Sequence, residues 1–135
     1  MKYIIFLLFF QTILFSQVKS IYAPVEKQMR LIPEQQTKSA QEIASYIQTN
    51  FKGEELQIKA AYFYVISTIS YDVTYNFSTE LFSSDEDFVT KTISTKKGVC
   101  IHYAKFFKAI IDKLGYQCEI VTGYTKQNNQ IGKLS

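Results

Sequence analysis

Three side chains of the sequence are suited to thiol chemistry or to binding a soft metal ion: Cys100, His102 and Cys118. Cys100 follows shortly after a glycine and precedes a run in which apolar residues recur at helical spacing. This run predicts a helix that starts near Cys100, ends at Gly115 and turns Cys100 toward the protein. The start of a helix carries partial positive charge, which favours the thiolate, and the thiolate is the nucleophilic form. Cys100 is therefore a candidate catalytic nucleophile.

Two alternatives for the cysteines stay open. A cysteine is often a small buried side chain without a chemical role, and Cys100 could be part of the core. A disulfide between Cys100 and Cys118 is the other alternative, and an exported protein would permit it. Because that bond would consume the Cys100 thiol, it competes directly with a nucleophilic role.

The only histidine of the chain is His102. At about 100° per residue it lies roughly 200° around the helix from Cys100. We therefore expect it to point away from the thiol, toward Lys113, as a partly exposed surface residue. Two cysteines and one histidine in that position do not form a tetrahedral metal site, and no motif implies a cofactor.

A longer set of motifs surrounds Cys100. Its parts are Ile69-Ser70-Tyr71-Asp72, Lys97-Gly98-Val99-Cys100, Tyr103-Ala104, Phe107, Leu114-Gly115-Tyr116 and Val121-Thr122-Gly123-Tyr124. Together they resemble the core motif of bacterial transglutaminase-like proteins, which belong to the papain-like superfamily of cysteine-nucleophile enzymes. The resemblance extends from about Leu56 to the C-terminus.

This resemblance implies an α+β fold, of which the chain would hold the N-terminal, mainly helical half and the first core strand. It also implies thiol acyl transfer, in which Cys100 attacks an amide of a protein or peptide substrate and a thioester forms. Water would then resolve the thioester in a peptidase or amidase, and an amine would resolve it in a cross-linking enzyme.

The family pattern also includes a base and an acid that the sequence does not contain. In the family the base histidine follows the strand that ends at Gly123-Tyr124, and the acid comes later, so both would fall beyond Ser135. We therefore expect the chain to be the front part of a longer protein and to be inactive or nearly so alone. Other interpretations stay open: a natural remnant, a small disulfide-closed secreted domain, or a non-catalytic binding or scaffold module of the cell envelope.

The N-terminus has the layout of a secretory signal peptide. Met1-Lys2 supplies a positive start, an unbroken apolar run follows to Phe10, and small residues come after it. We expect a signal peptide over residues 1–16, with 1–20 as the alternative, and a secreted or periplasmic protein. The apolar run is short and interrupted, whereas a spanning helix needs about 20 apolar residues, so we expect no stable membrane span after signal cleavage.

The rest of the chain has the size and composition of one globular domain. Residues 17–37 contain both prolines and several glutamines and predict an irregular linker, and residues 38–135 form the predicted domain. A hydrophobic content of 47% supports a packed core, and a formal net charge of +3 is too small to indicate a nucleic-acid partner.

Local patterns predict the elements of this domain. They are a first helix from Ser39 to Gly53, a second from Glu54 to about Ser70, a third from about Glu86 to Thr95, the helix after Cys100, a strand from Gln117 to Thr125 and a polar turn from Lys126 to Gln130. Ser39 and Glu42 match a capping box. Tyr71-Asp72 predicts an extended turn, in which Asp72 has a structural role.

Apolar spacing also predicts which side chains of these helices are buried. For the first helix they are Ala40, Ile43, Ala44, Ile47 and Phe51, for the second Leu56, Ala60, Phe63 and Ile66, and for the helix after Cys100 Tyr103, Ala104, Phe107, Ile110, Ile111 and Leu114. In the second helix Tyr62, Tyr64, Val65 and Ile69 add apolar bulk, so we expect that helix to be buried on much of its surface.

Overall fold

The computed structural model describes residues 22–76 and 82–123, together with the backbone of 126–127 and 130–131. The helices of this described part are α1 (Ala23–Met29), a 3-10 helix (Glu34–Gln36), α2 (Ala40–Asn50), α3 (Glu54–Thr68), α4 (Asp85–Thr95) and α5 (Cys100–Leu114). The strands are β1 (Ser70–Tyr71), β2 (Lys97–Gly98), β3 (Lys126–Gln127) and β4 (Gln130–Ile131). The predicted signal peptide lies outside the described residues.

Helix boundaries follow the local chemistry of the sequence. The Ser39 hydroxyl accepts the N–H of Glu42 at the start of α2, and the Ser84 hydroxyl accepts the N–H of Asp87 at the start of α4. Gly115 ends α5 with φ +88°, a left-handed conformation that glycine adopts without a steric penalty. The predicted helices over α2, α3, α4 and α5 are thus confirmed, with ends that differ by at most three residues.

Helix α5 is the centre of the fold. It packs against α2, α3 and α4, and α1 packs against α3. The largest fully buried side chains of the described part are Met29, Ile43, Ile47, Val65, Thr92, Phe106 and Ile110. The Thr92 hydroxyl donates to the carbonyl of Phe88 at 2.9 Å, so this polar group is satisfied inside the core. The fold is α+β and mainly helical, as expected.

The segment before α2 differs from the prediction. Residues 22–37 are not an irregular linker throughout, because α1 and the 3-10 helix occupy much of them. Pro24 lies in the first turn of α1, where its missing N–H has no intrahelical partner to lose. Val25 and Met29 are buried in the same core as α3, and this burial stabilises a helix that is too short to form alone.

The buried face of α3 is also only partly as predicted. Ala60 and Phe63 are buried, but Leu56 and Ile66 are exposed. Tyr64 and Val65 are buried, in agreement with the apolar bulk expected around this helix, whereas Tyr62 is exposed. Ala61 is also buried. Apolar residues occur on several sides of this helix, so its spacing does not select one face, and contacts with α1 and α5 make the selection.

The strand predicted from Gln117 to Thr125 is not formed over its described part, residues 117–123. Val121 is 91% exposed there. A strand is stable only when its backbone N–H and C=O groups pair with a neighbouring strand, and no described strand pairs with this segment. Strands β3 and β4 instead form an antiparallel pair where a polar turn is predicted.

Candidate thiol site at the start of helix α5

The chain entering α5 is fixed by a parallel pair of short strands. Ser70 in β1 is opposite Lys97 in β2, and Tyr71 is opposite Gly98. The N–H of Ser70 donates to the carbonyl of Lys96, and the N–H of Asp72 donates to the carbonyl of Gly98, both at 2.9 Å. Beyond an extended turn at Tyr71-Asp72, no local pattern predicts this pair, because each strand has only two residues.

Lys96 makes the turn from α4 into β2. It has φ +52° and caps the C-terminus of α4, with its N–H donating to the carbonyl of Thr92 at 2.9 Å. A left-handed residue reverses the chain sharply after a helix. The turn at Lys96 thereby holds the end of α4 close to β2, the strand that leads to Cys100.

Tyr103 joins the first turn of α5 to the end of α3. Its hydroxyl donates to the backbone carbonyl of Ile69 at 2.8 Å, across 34 positions of the sequence. The ring of Tyr103 also lies 6.5 Å from the ring of Tyr71 between centroids. The Ile69–Asp72 and Gly98–Tyr103 motifs are therefore neighbours in space.

Cys100 is the first residue of α5, and its side chain is exposed. The expectation that Cys100 faces the protein is wrong. The buried side chains of α5 are His102, Phe106, Ile110, Ile111 and Leu114. The predicted burial of Ile110, Ile111 and Leu114 is confirmed, but in the first half of the helix His102 and Phe106 are buried in place of the predicted residues. Apolar residues lie on several sides of α5, so the contacts with α2, α3 and α4 decide which side is covered. Tyr103, Ala104 and Phe107 are only partly buried.

His102 is only 4% exposed, so the expectation of a surface histidine is also wrong. Its Nδ1 accepts the backbone N–H of Val99 at 3.2 Å. The ring contacts Phe88 of α4 at 4.4 Å and the edge of Tyr75 at 4.8 Å between centroids. The exposed Cys100 and the buried His102 thus lie on different sides of the helix start.

The site lies inside a segment that matches a protein-family model. Residues 41–134, which include all of α3, α4 and α5, match the model of the transglutaminase-like superfamily. The chain belongs to this superfamily. A search of curated proteins and a search of solved structures found no match. The resemblance of the motifs around Cys100 is thereby confirmed at the level of the superfamily.

In this transglutaminase-like chain, Asp72 holds a turn. Its Oδ1 accepts the hydroxyl of Thr74 at 2.7 Å and the N–H of Thr74 at 2.9 Å. These two hydrogen bonds hold the pKa of the Asp72 carboxyl below its ordinary value of 3.8, and the charge of Lys97 acts in the same direction. The bonds support the structural role expected for Asp72.

Both cysteines of the transglutaminase-like chain are free thiols. The disulfide between Cys100 and Cys118 is therefore not present in the structure. Within the described residues, no cluster of three histidine, cysteine or acidic side chains could hold a metal ion. None of the described helices combines the length and the apolar character that crossing a membrane would require.

Sequence reasoning missed the role of His102 in this transglutaminase-like site. In a capping box, the third residue of a helix accepts the N–H of the residue that precedes the helix. His102 occupies that third position, and Nδ1 of a neutral imidazole is an acceptor when the proton is on Nε2. The three-residue spacing from Val99 to His102 is that of a capping box, but the usual residue at the third position of the helix is glutamate or glutamine.

Proposed function

We propose that the domain carries out thiol acyl transfer on amides of proteins or peptides, with Cys100 as the nucleophile. The observation that supports this most strongly is the exposure of the Cys100 side chain at the first residue of α5, between Val99 and His102, which are 7% and 4% exposed. A reactive group that is accessible on an anchored backbone is what nucleophilic catalysis needs. Membership of the transglutaminase-like superfamily agrees with this role.

The proposed reaction has two steps. The Cys100 thiolate attacks the amide carbonyl carbon, the C–N bond breaks, and the nitrogen leaves as ammonia or an amine after it accepts a proton. The resulting thioester is then attacked by water, which gives a carboxylic acid, or by a primary amine, which gives a new amide. Either attack returns the thiol. An enzyme that forms the carboxylic acid is an amidase or peptidase, and one that forms the new amide is a cross-linking enzyme.

The proton for the leaving nitrogen requires a general acid, which is usually a histidine in thiol enzymes. His102 is the only histidine in these 135 residues, and it is buried with Nδ1 occupied by Val99. We therefore expect no measurable turnover of amides by this chain by itself. A chain that also carries the family's base histidine and acid should turn over amides, and Cys100→Ala should abolish that activity.

An activated ester tests the nucleophile without a general acid, because nitrophenolate leaves without protonation. Mixing the chain with p-nitrophenyl acetate should release a rapid burst of nitrophenolate and leave one acetyl group on Cys100, located by mass spectrometry. Cys100→Ala should lose the burst, and Cys118→Ala, the matched control, should keep it. A burst that survives Cys100→Ala would contradict the proposal.

A non-catalytic binding or scaffold module is the alternative, and the engagement of His102 by Val99 favours it, since the nucleophile then has no histidine base within this chain. The burst separates the two functions. If acetylation of Cys100 is no faster than that of a free thiol peptide under the same conditions, the alternative is supported and the nucleophile is rejected.

We also propose that the protein is exported, so that it acts on substrates in a secreted or periplasmic location. The basis is the charged start, apolar run and small residues of positions 1–20. N-terminal sequencing of the exported protein should begin at Gln17, or at Ile21 for the later cleavage. Recovery of the intact Met1 terminus from a membrane fraction would reject this proposal.

A further inference from the structure

We propose that His102 is a positioning residue for Cys100: its imidazole caps the N-terminus of α5 and so fixes the backbone that presents the thiol. This inference rests on the proposed function for its chemical purpose, but the cap itself is independent of it. His102 is the third residue of the helix whose first residue is Cys100. Its Nδ1 accepts the N–H of Val99, the residue directly before Cys100, at 3.2 Å.

The surroundings of Val99 explain why this hydrogen bond matters. Val99 is 7% exposed, so water has little access to its N–H. A buried N–H without an acceptor is costly, and removing its partner exposes the full cost of desolvation. The imidazole therefore decides whether the backbone before Cys100 can stay in its extended conformation, with φ −105° and ψ −176° at Val99.

The imidazole is itself held from three sides. Phe88 of α4 and Tyr75 contact the ring, and the backbone of Gly98 lies against Cβ and Cγ of His102. A Cβ at Gly98 would come within 2.4 Å of both Cβ and Cγ of His102, a distance that side chains do not tolerate. Gly98 therefore lets β2 pass directly against His102. This packing leaves the ring little freedom to turn Nδ1 away from Val99.

The tautomer of the ring follows from the same geometry. Nδ1 accepts a hydrogen bond from the backbone N–H of Val99, so in the neutral ring the proton is on Nε2. A ring protonated on both nitrogens could not accept the Val99 N–H. The ¹⁵N spectrum of the unmodified full chain at neutral pH should show Nδ1 without a directly bonded proton. A proton bonded to Nδ1 would overturn the inference without any substitution.

Two variants separate the acceptor from the ring. His102→Phe keeps an aromatic ring against Phe88 and Tyr75 but removes the acceptor. His102→Asn keeps an acceptor at the same distance along the side chain but removes the ring. Amide hydrogen exchange at Val99 should become about tenfold faster in the phenylalanine variant and stay protected in the asparagine variant. If the ring acted only by packing, Val99 exchange would become faster in His102→Asn and stay protected in His102→Phe.

The rate at which p-nitrophenyl acetate acetylates Cys100 should depend on whether residue 102 accepts the N–H of Val99. We expect it to slow by about two- to fivefold in His102→Phe and to stay within about twofold of the wild type in His102→Asn, since the helix N-terminus contributes on that scale. Unchanged Val99 exchange in His102→Phe would overturn the positioning role, whatever Cys100 does. If Val99 exchange changes in the variants as expected but the wild-type chain gives no burst of nitrophenolate, the cap by His102 stands and the acyl-transfer proposal is rejected.

Discussion

The hydroxyl of Tyr103 donates to the backbone carbonyl of Ile69 at 2.8 Å, and this contact ties the helix of the thiol to the end of α3. Ile69 is 5% exposed, so its carbonyl has little access to water as a replacement partner. The bond acts together with the β1–β2 pair, which joins the residues directly after Ile69 to the residues shortly before Cys100. The position of Cys100 thus depends on contacts that are distant in sequence.

Tyr103→Phe should lower the free energy of unfolding by about 1–2 kcal/mol, because it removes the donor for a buried carbonyl and leaves the ring in place. Urea unfolding followed by circular dichroism measures the change. Tyr62→Phe is the matched control, since the Tyr62 side chain is half exposed on α3, and it should change stability by less than about 0.5 kcal/mol. Equal effects of the two substitutions would contradict the role of the Tyr103 hydroxyl.

Gly98→Ala should destabilise the protein by about 1–3 kcal/mol, the usual cost of forcing an extra carbon into a packed site. The new Cβ would lie 2.4 Å from His102, and the ring of His102 or the strand β2 would have to move. Thermal unfolding measures the loss. Gly123→Ala is the control, because nothing lies within 4 Å of a Cβ there, and a loss of similar size in this control would show that the contact with His102 is not the cause.

The stability of the protein should depend on the ionisation of Asp72 in acid. Hydrogen bonds from Thr74 lower the pKa of this carboxyl in the folded state below 3.8. A lowered folded-state pKa contributes stability that is present above the unfolded pKa and is lost as the pH falls through the folded pKa. The thermal midpoint of the wild type should therefore fall more steeply than that of Asp72→Asn below about pH 4. Parallel curves for the two proteins would refute this.

Iodoacetamide should label Cys100 faster than Cys118 at neutral pH. The Cys100 side chain is exposed at a helix start, whereas Cys118 is partly buried against the core. Mass spectrometry of tryptic peptides after short reaction times gives the two rates in one sample, so each thiol is the control for the other. Faster labelling of Cys118, or a mapped disulfide between the two cysteines, would count against Cys100 as the reactive thiol.

The sequence by itself determined where helices α2 to α5 begin and end, although it did not reveal α1. The hydroxyl of Ser39 and the conformational freedom of Gly115 act on backbone groups at most a few residues away. Such local interactions do not depend on the rest of the fold. The superfamily was also determined by sequence, because the motifs around Cys100 are contiguous stretches of residues.

Only the tertiary structure decided which side of α5 is covered. Its apolar residues lie on several sides, so the periodicity fits both a buried Cys100 and a buried His102. Packing against Phe88 of α4, Tyr75 and Gly98 buries His102, and Cys100 is left exposed. Similarly, residues 117–123 alternate like a strand, but alternation supplies no partner for the backbone, and hydrogen bonding to another strand is a property of the whole fold. The β1–β2 pair joins residues 27 positions apart, a contact for which two residues in each strand carry no local pattern.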